Sequence, residues 1–104
     1  MFAFITHLRA RPGKRDALMQ LNLRMQHATA SEPGVPIYAF HTAEEKPDDF
    51  WYYDLYERQE DYDAHCATTE FKEMMGTIGE LAEIIEMAKL VPFGPIKSQA
   101  VTGN

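Results

Sequence analysis

Apolar and polar positions follow two different periods along this chain, and the switches between them predict its elements. Residues 2–8 are dense in aromatic and β-branched side chains and read as a first strand. Pro12-Gly13 breaks that run. From residue 14 to residue 29, Leu18, Leu21, Met25 and Ala28 recur at steps of three, four and three, one face of a helix. Pro33 and Gly34 end it, since proline disfavours helix at the residue before it and glycine suits a left-handed exit. Residues 35–42 predict a second strand, and the polar run 44–49 a hairpin turn.

Residues 50–57 form the densest aromatic stretch. As a strand, they place Phe50, Tyr52, Asp54 and Tyr56 on one face and Trp51, Tyr53, Leu55 and Glu57 on the other. Residues 58–67 suit a short helix. A second segment, capped by Thr68 or Thr69, carries Phe71, Met74, Ile78, Leu81 and Ile85 at helical spacing, although Gly76 and Gly79 weaken it. Residues 87–92 read as a last strand. The order β-α-β-β-α-β is the split pattern of an α+β, ferredoxin-like domain with an antiparallel sheet, here over residues 1–95 with a C-terminal tail at 96–104. Helices cover one sheet face. The other is apolar as well, which predicts a homodimer packed sheet against sheet.

Composition narrows the function classes. The 104 residues are 45% hydrophobic and 25% charged, a soluble globular balance that excludes disordered and membrane-spanning classes. A lone cysteine, Cys66, and the absence of a signal-peptide pattern fit a cytoplasmic protein. The net charge of −6 is uneven: residues 1–43 carry five Arg or Lys against two acids, and residues 44–86 fourteen acids against three. An acidic chain without a basic stripe is a poor partner for phosphate backbones, so no nucleic acid is expected, and no membrane. Asp61 and His65 lie four apart without a third ligand at any recognised spacing, so no metal is expected.

Residues 5–13 (Ile-Thr-His-Leu-Arg-Ala-Arg-Pro-Gly), Glu32-Pro33-Gly34, Asp54-Leu55-Tyr56-Glu57, Tyr62-Asp63-Ala64-His65 and Thr69-Glu70-Phe71 together resemble the antibiotic biosynthesis monooxygenase family, from about residue 2 to residue 94. The resemblance implies a dimeric α/β barrel whose ferredoxin-like protomers each hold a pocket between sheet and helices. It also implies a cofactor-independent monooxygenase acting with dioxygen on a quinol, an anthrone or a related phenolic molecule. Such chemistry is feasible because the deprotonated substrate supplies the electrons, leaving the protein to hold the ring, exclude water and assist proton transfer.

On that resemblance His65 occupies the position of a pocket histidine and is expected to move the proton, with Tyr52, Tyr56 and Tyr62 orienting the substrate. Thr6, Asp54, Phe71, Met74 and Met75 are expected to line the pocket. The competing reading of His65 is a helix-end histidine bonded to Asp61, that of the strand tyrosines is cross-strand packing, and that of Phe71 and Met74 is core. Cys66 reads as a small buried residue. Many relatives have histidine where Glu70 stands. The haem-degrading branch carries asparagine, tryptophan and an iron-binding histidine where this chain has Thr6, His65 and Met75, which argues against that reaction. Two further readings keep the fold: a non-catalytic ligand-binding or stress-associated module, and an oxygen-independent isomerase or decarboxylase.

Overall fold

The computed structural model describes residues 1–95; the expected tail at 96–104 lies outside the described residues. Its elements are β1 (Phe2–Ala10), α1 (Arg15–Thr29), β2 (Ile37–Ala43), β3 (Lys46–Tyr56), α2 (Gln59–Cys66), α3 (Thr69–Leu81) and β4 (Ala82–Leu90). The four strands form one antiparallel sheet in the order β2-β3-β1-β4. This is the α+β, ferredoxin-like arrangement that the order of elements predicts.

The alternation in β3 sets both faces of the sheet. Thr6 pairs with Tyr52, Phe4 with Asp54 and Phe2 with Tyr56, so these six side chains share the side on which the helices lie. At its base Leu8, Phe50 and Ala82 pack against Leu18, Leu21 and Met25 of α1 and Met74 and Ile78 of α3. These residues form the core, and burial of such apolar area is what holds helices to sheet. His7 points the opposite way from Thr6.

The C-terminal third differs from the sequence expectation. The helical spacing continues through Ile85, yet α3 stops at Leu81 and β4 begins at Ala82, whose φ of −151° and ψ of 158° are fully extended. Arg11 N–H donates to Leu81 O at 2.8 Å and locks the switch in place. Two forces favour the strand here: Ile84 and Ile85 are β-branched, and the segment satisfies its backbone along β1 from Ala3 to Ala10. A bulge opposite His7 and Leu8 absorbs Ile85 as an extra residue. It thereby puts Ile84, beside Leu8, and Met87, beside Thr6, on the same face although they are three apart. A three-residue apolar spacing is helical in an unbroken element and strand-like across a bulge, and the linear pattern does not separate the two. β3 likewise starts at Lys46, inside the run expected as a turn.

Among the described residues, no helix covers the outer face of the sheet. Ile5, Ala39, Tyr53 and Ala88 are half-buried there, and Trp51 is 37% exposed. Its polar feature is a cluster in which Arg9 Nε donates to Asp49 Oδ1 at 2.8 Å and His7 Nε2 lies 3.1 Å from Asp49 Oδ2. The His7 ring stacks on Trp51 at 4.1 Å. The hydrogen bond from Arg9, helped by His7 and opposed by burial, holds the Asp49 carboxyl down at about 2.

A carboxyl lowered in the folded state adds stability that is complete above the ordinary value of 3.8 and is lost as pH falls toward about 2. Urea unfolding midpoints measured from about pH 5 to about pH 2 will therefore fall more steeply for the wild type than for Asp49→Asn.

Candidate active site

Between the helix-facing side of the sheet and helices α2 and α3 lies a cavity of about 160 Å³. All nine side chains expected to form a site line it: Thr6 on β1; Tyr52, Asp54 and Tyr56 on β3; Tyr62 and His65 on α2; and Phe71, Met74 and Met75 on α3. Met74 is also part of the core, so wall and core are one surface there. Met75, Ile84 and Met87 are each half or more exposed and rim the mouth.

His65, Tyr52, Tyr56 and Asp54 in this aromatic setting are engaged. His65 is 2% exposed. Its Nδ1 lies 2.7 Å from Glu32 Oε1, while its ring is held edge-on against Tyr38 at 5.2 Å and Phe71 at 5.2 Å, and tilted against Tyr56 at 5.7 Å. The pairing with Asp61 that the sequence left open does not form. Asp61 instead accepts from Arg58 Nε at 3.1 Å and Nη2 at 3.2 Å. Glu32 reaches α2 because of one turn. Gly34 adopts φ +76°, its carbonyl accepts from Glu57 N–H at 2.9 Å, and a Cβ at this position would collide with the Asp61 carboxylate. That close approach seats the loop after α1 on α2 and brings Glu32 to His65.

Tyr52 donates its hydroxyl to Asn22 Oδ1 of α1 at 2.7 Å, and Tyr56 donates to Asp54 Oδ2. Burial raises the pKa of Tyr38, Tyr52 and Tyr56, and pushes Tyr62 up to about 12, with Cys66 adding to it. These phenols are hydrogen-bond donors at neutral pH and not bases. Burial also raises the Asp54 carboxyl, opposed by the hydrogen bond from Tyr56 and by His65. Burial likewise keeps the Cys66 thiol protonated. The imidazole of His65 is the base that such a lining offers.

Glu32 and Tyr38 were not singled out in the sequence. Period two across Ile37–Ala43 puts Tyr38 and Phe40 on one face, and both line the cavity. Glu32 carries no such pattern, because its partner lies thirty-three residues away across a loop. Glu70 is exposed and lines a separate groove between α1 and α3 with Arg24 and Glu73. Among the described residues, no group of three or more His, Cys, Asp or Glu is placed to hold a metal ion.

The family profile described as antibiotic biosynthesis monooxygenase matches residues 1–77, about three quarters of the sequence. The chain belongs to the antibiotic biosynthesis monooxygenase family. No curated protein matches it. Among solved structures, a Chloroflexus aurantiacus protein described as a candidate antibiotic biosynthesis monooxygenase is 24% identical, over 91% of this chain and 95% of its own, with a TM-score of 0.77. A Deinococcus radiodurans protein of the same description is 18% identical, over 92% and 96%, at a TM-score of 0.82. A Mycobacterium tuberculosis protein is 22% identical, over 90% and 96%, also at 0.82. At these identities the likeness establishes the fold. In this family member the reaction must be argued from the cavity.

Replacing Gly34 by alanine forces a strained φ and displaces Asp61. It should cost about 2 kcal/mol in urea denaturation. Asp54→Asn should act in the opposite direction. A buried carboxyl with a raised pKa loses stability as pH rises through its folded value, whereas asparagine still accepts from Tyr56 and carries no charge. Thermal midpoints should be higher for Asp54→Asn at neutral pH, and the gain should vanish below the ordinary carboxylate range.

Proposed function

We propose that this protein is a cofactor-independent monooxygenase that oxidises a small, neutral quinol or related phenol with dioxygen. The observation that carries this reading is one buried imidazole, His65, at the wall of an aromatic cavity whose phenols are hydrogen-bond donors and whose carboxyl, Asp54, is taken up by Tyr56. No Lys or Arg lines that cavity among the described residues, which fits a substrate without carboxylate or phosphate. Its size is close to that of cavities of about 150 Å³ that hold benzene, so one ring fills it and a second extends toward the rim at Met75, Ile84 and Met87.

His65 takes the proton of a substrate O–H, leaving an electron-rich phenolate shielded from water. The ring carbon beside that oxygen bonds to one atom of dioxygen, the substrate supplying both electrons, and the peroxide receives the proton back from His65. Loss of that carbon's hydrogen as a proton, with cleavage of the O–O bond, expels water and leaves the ring oxidised and bearing one new oxygen. A hydroquinone thus becomes a hydroxyquinone, and dioxygen is consumed one for one. Tyr62 steadies a substrate oxygen as a donor, Tyr56, whose one proton goes to Asp54, offers its oxygen as an acceptor to a substrate hydroxyl, and Tyr52, Thr6, Phe71, Met74 and Met75 form the wall.

The half-exposed apolar outer face supports a homodimer packed sheet on sheet, which would bury Ile5, Tyr53 and Trp51. Among the described residues no helix is long and apolar enough to cross a membrane, and a cytoplasmic setting fits the lone cysteine.

Oxygen uptake with a panel of one-, two- and three-ring quinols and anthrones tests the reading. One- and two-ring quinols should be consumed well above autoxidation, and His65→Ala should lower kcat by about 10²- to 10⁴-fold. Saturable quinol binding without uptake would replace the enzyme by a binding module. Uptake unchanged in His65→Ala would remove His65 from the chemistry.

A further inference from the structure

We infer that Glu32 is the positioning residue of this site: it fixes the neutral His65 ring in the tautomer that keeps its proton on Nδ1 and leaves Nε2 free to accept one. The inference rests on the proposed role of His65 for its kinetic consequence, but its structural content can be measured without any substrate.

A neutral imidazole in water favours the proton on Nε2, and in that form Nδ1 is the only basic nitrogen. In this protein Nδ1 is the nitrogen that faces Glu32, at 2.7 Å, so a proton on Nε2 would leave a carboxylate oxygen against a bare lone pair. With the proton on Nδ1 the same contact is a charge-assisted hydrogen bond, which selects that tautomer. The ring cannot turn to escape the choice. Tyr38, Tyr56 and Phe71 hold it on three sides, and its side chain is 1% exposed.

Glu32 is anchored independently of the histidine. Its N–H donates to Thr29 O at 2.9 Å, and two residues later Gly34 is clamped over Asp61. Asp54, the other carboxyl near the ring, is taken up by the Tyr56 hydroxyl and does not compete for Nδ1. When His65 accepts a substrate proton at Nε2 it becomes a buried cation, and Glu32, 18% exposed and still bonded to Nδ1, balances that charge where water cannot. Tautomer and charge balance thus come from one side chain that touches no substrate, while the surrounding aromatic rings hold the imidazole in place.

Long-range ¹H–¹⁵N correlation spectra of the labelled protein, recorded where the ring is neutral, read the tautomer directly, with His65 assigned by the signals lost in His65→Gln. The wild type should show a protonated Nδ1 and a bare Nε2. Glu32→Gln, whose amide can donate to Nδ1, should move the proton to Nε2 and lower kcat by about 10²-fold or more, with KM changed far less. A wild-type His65 protonated at Nε2 overturns the inference, and so does a Glu32→Gln variant with unchanged tautomer and kcat. The wild-type spectrum decides the point even if the variant does not fold. The expected spectra without quinol oxidation by the wild type would sustain Glu32 as the positioning residue and reject the proposed reaction.

Discussion

A polar group enclosed by aromatic side chains is costly unless hydrogen-bonded, and Tyr52, Tyr56 and His65 on the inner face each satisfy that constraint, whereas Asn22 Nδ2 and Thr29 Oγ1 are buried without a partner among the described residues. An unpaired donor or acceptor in such a place costs about 1–3 kcal/mol, enough to threaten a domain of this size. The inner tyrosines of β3 and the histidine of α2 each meet it with a partner: Tyr52 with Asn22 of α1, Tyr56 with Asp54 of its own strand, and His65 with Glu32 of the loop after α1. The Tyr52–Asn22 bond ties α1 to the sheet, and the His65–Glu32 bond ties α2 to the loop after α1, above the apolar core. They also determine which atoms remain for a ligand, since a hydroxyl already donating to Asn22 is a wall, whereas an imidazole held at Nδ1 keeps one nitrogen to offer.

The acidic half of the chain can be sorted by the same rule. Most of its carboxylates, including Glu44, Glu45, Glu70, Glu73 and Glu80, are exposed and keep the surface solvated. Asp49, Asp54 and Asp61 are drawn inward, and each has a designated partner: Arg9 and His7, Tyr56, and Arg58 respectively. Composition showed the excess of acids without showing which would be buried, because burial depends on what lies opposite in space.

Legibility in the sequence followed the range of the forces involved. Alternation in β3, the helical face of α1 and the Thr68 cap are local, and they gave the sheet faces, the core and the start of α3. Period two fixes the faces of Thr6, Tyr52, Asp54 and Tyr56, and the family resemblance pointed to Tyr62, His65, Phe71, Met74 and Met75; all nine line the cavity. What escaped was non-local. The end of α3 is decided by pairing with β1 across a bulge, and the partner of His65 by a loop seated on α2 through Gly34. Glu32-Pro33-Gly34 was visible as part of the family pattern and as a helix stop, yet nothing along the chain tied its carboxylate to His65. Family membership and fold leave the reaction open, and the cavity narrows it: apolar, without Lys or Arg among its described lining, and sized for one ring with room toward the rim.

The central claim is that this cavity is where a neutral phenol binds, with its oxygen toward His65. The most direct measurement is a titration of the ¹⁵N-labelled protein with 2-naphthol, a two-ring phenol, under anaerobic conditions, following backbone and imidazole shifts. The account predicts saturable changes gathered at Tyr38, Asp54, Tyr56, His65, Phe71 and Met74, with the His7–Asp49–Trp51 cluster on the outer face unmoved. Saturable shifts centred on that outer face, or no saturable shifts at the cavity, would contradict it.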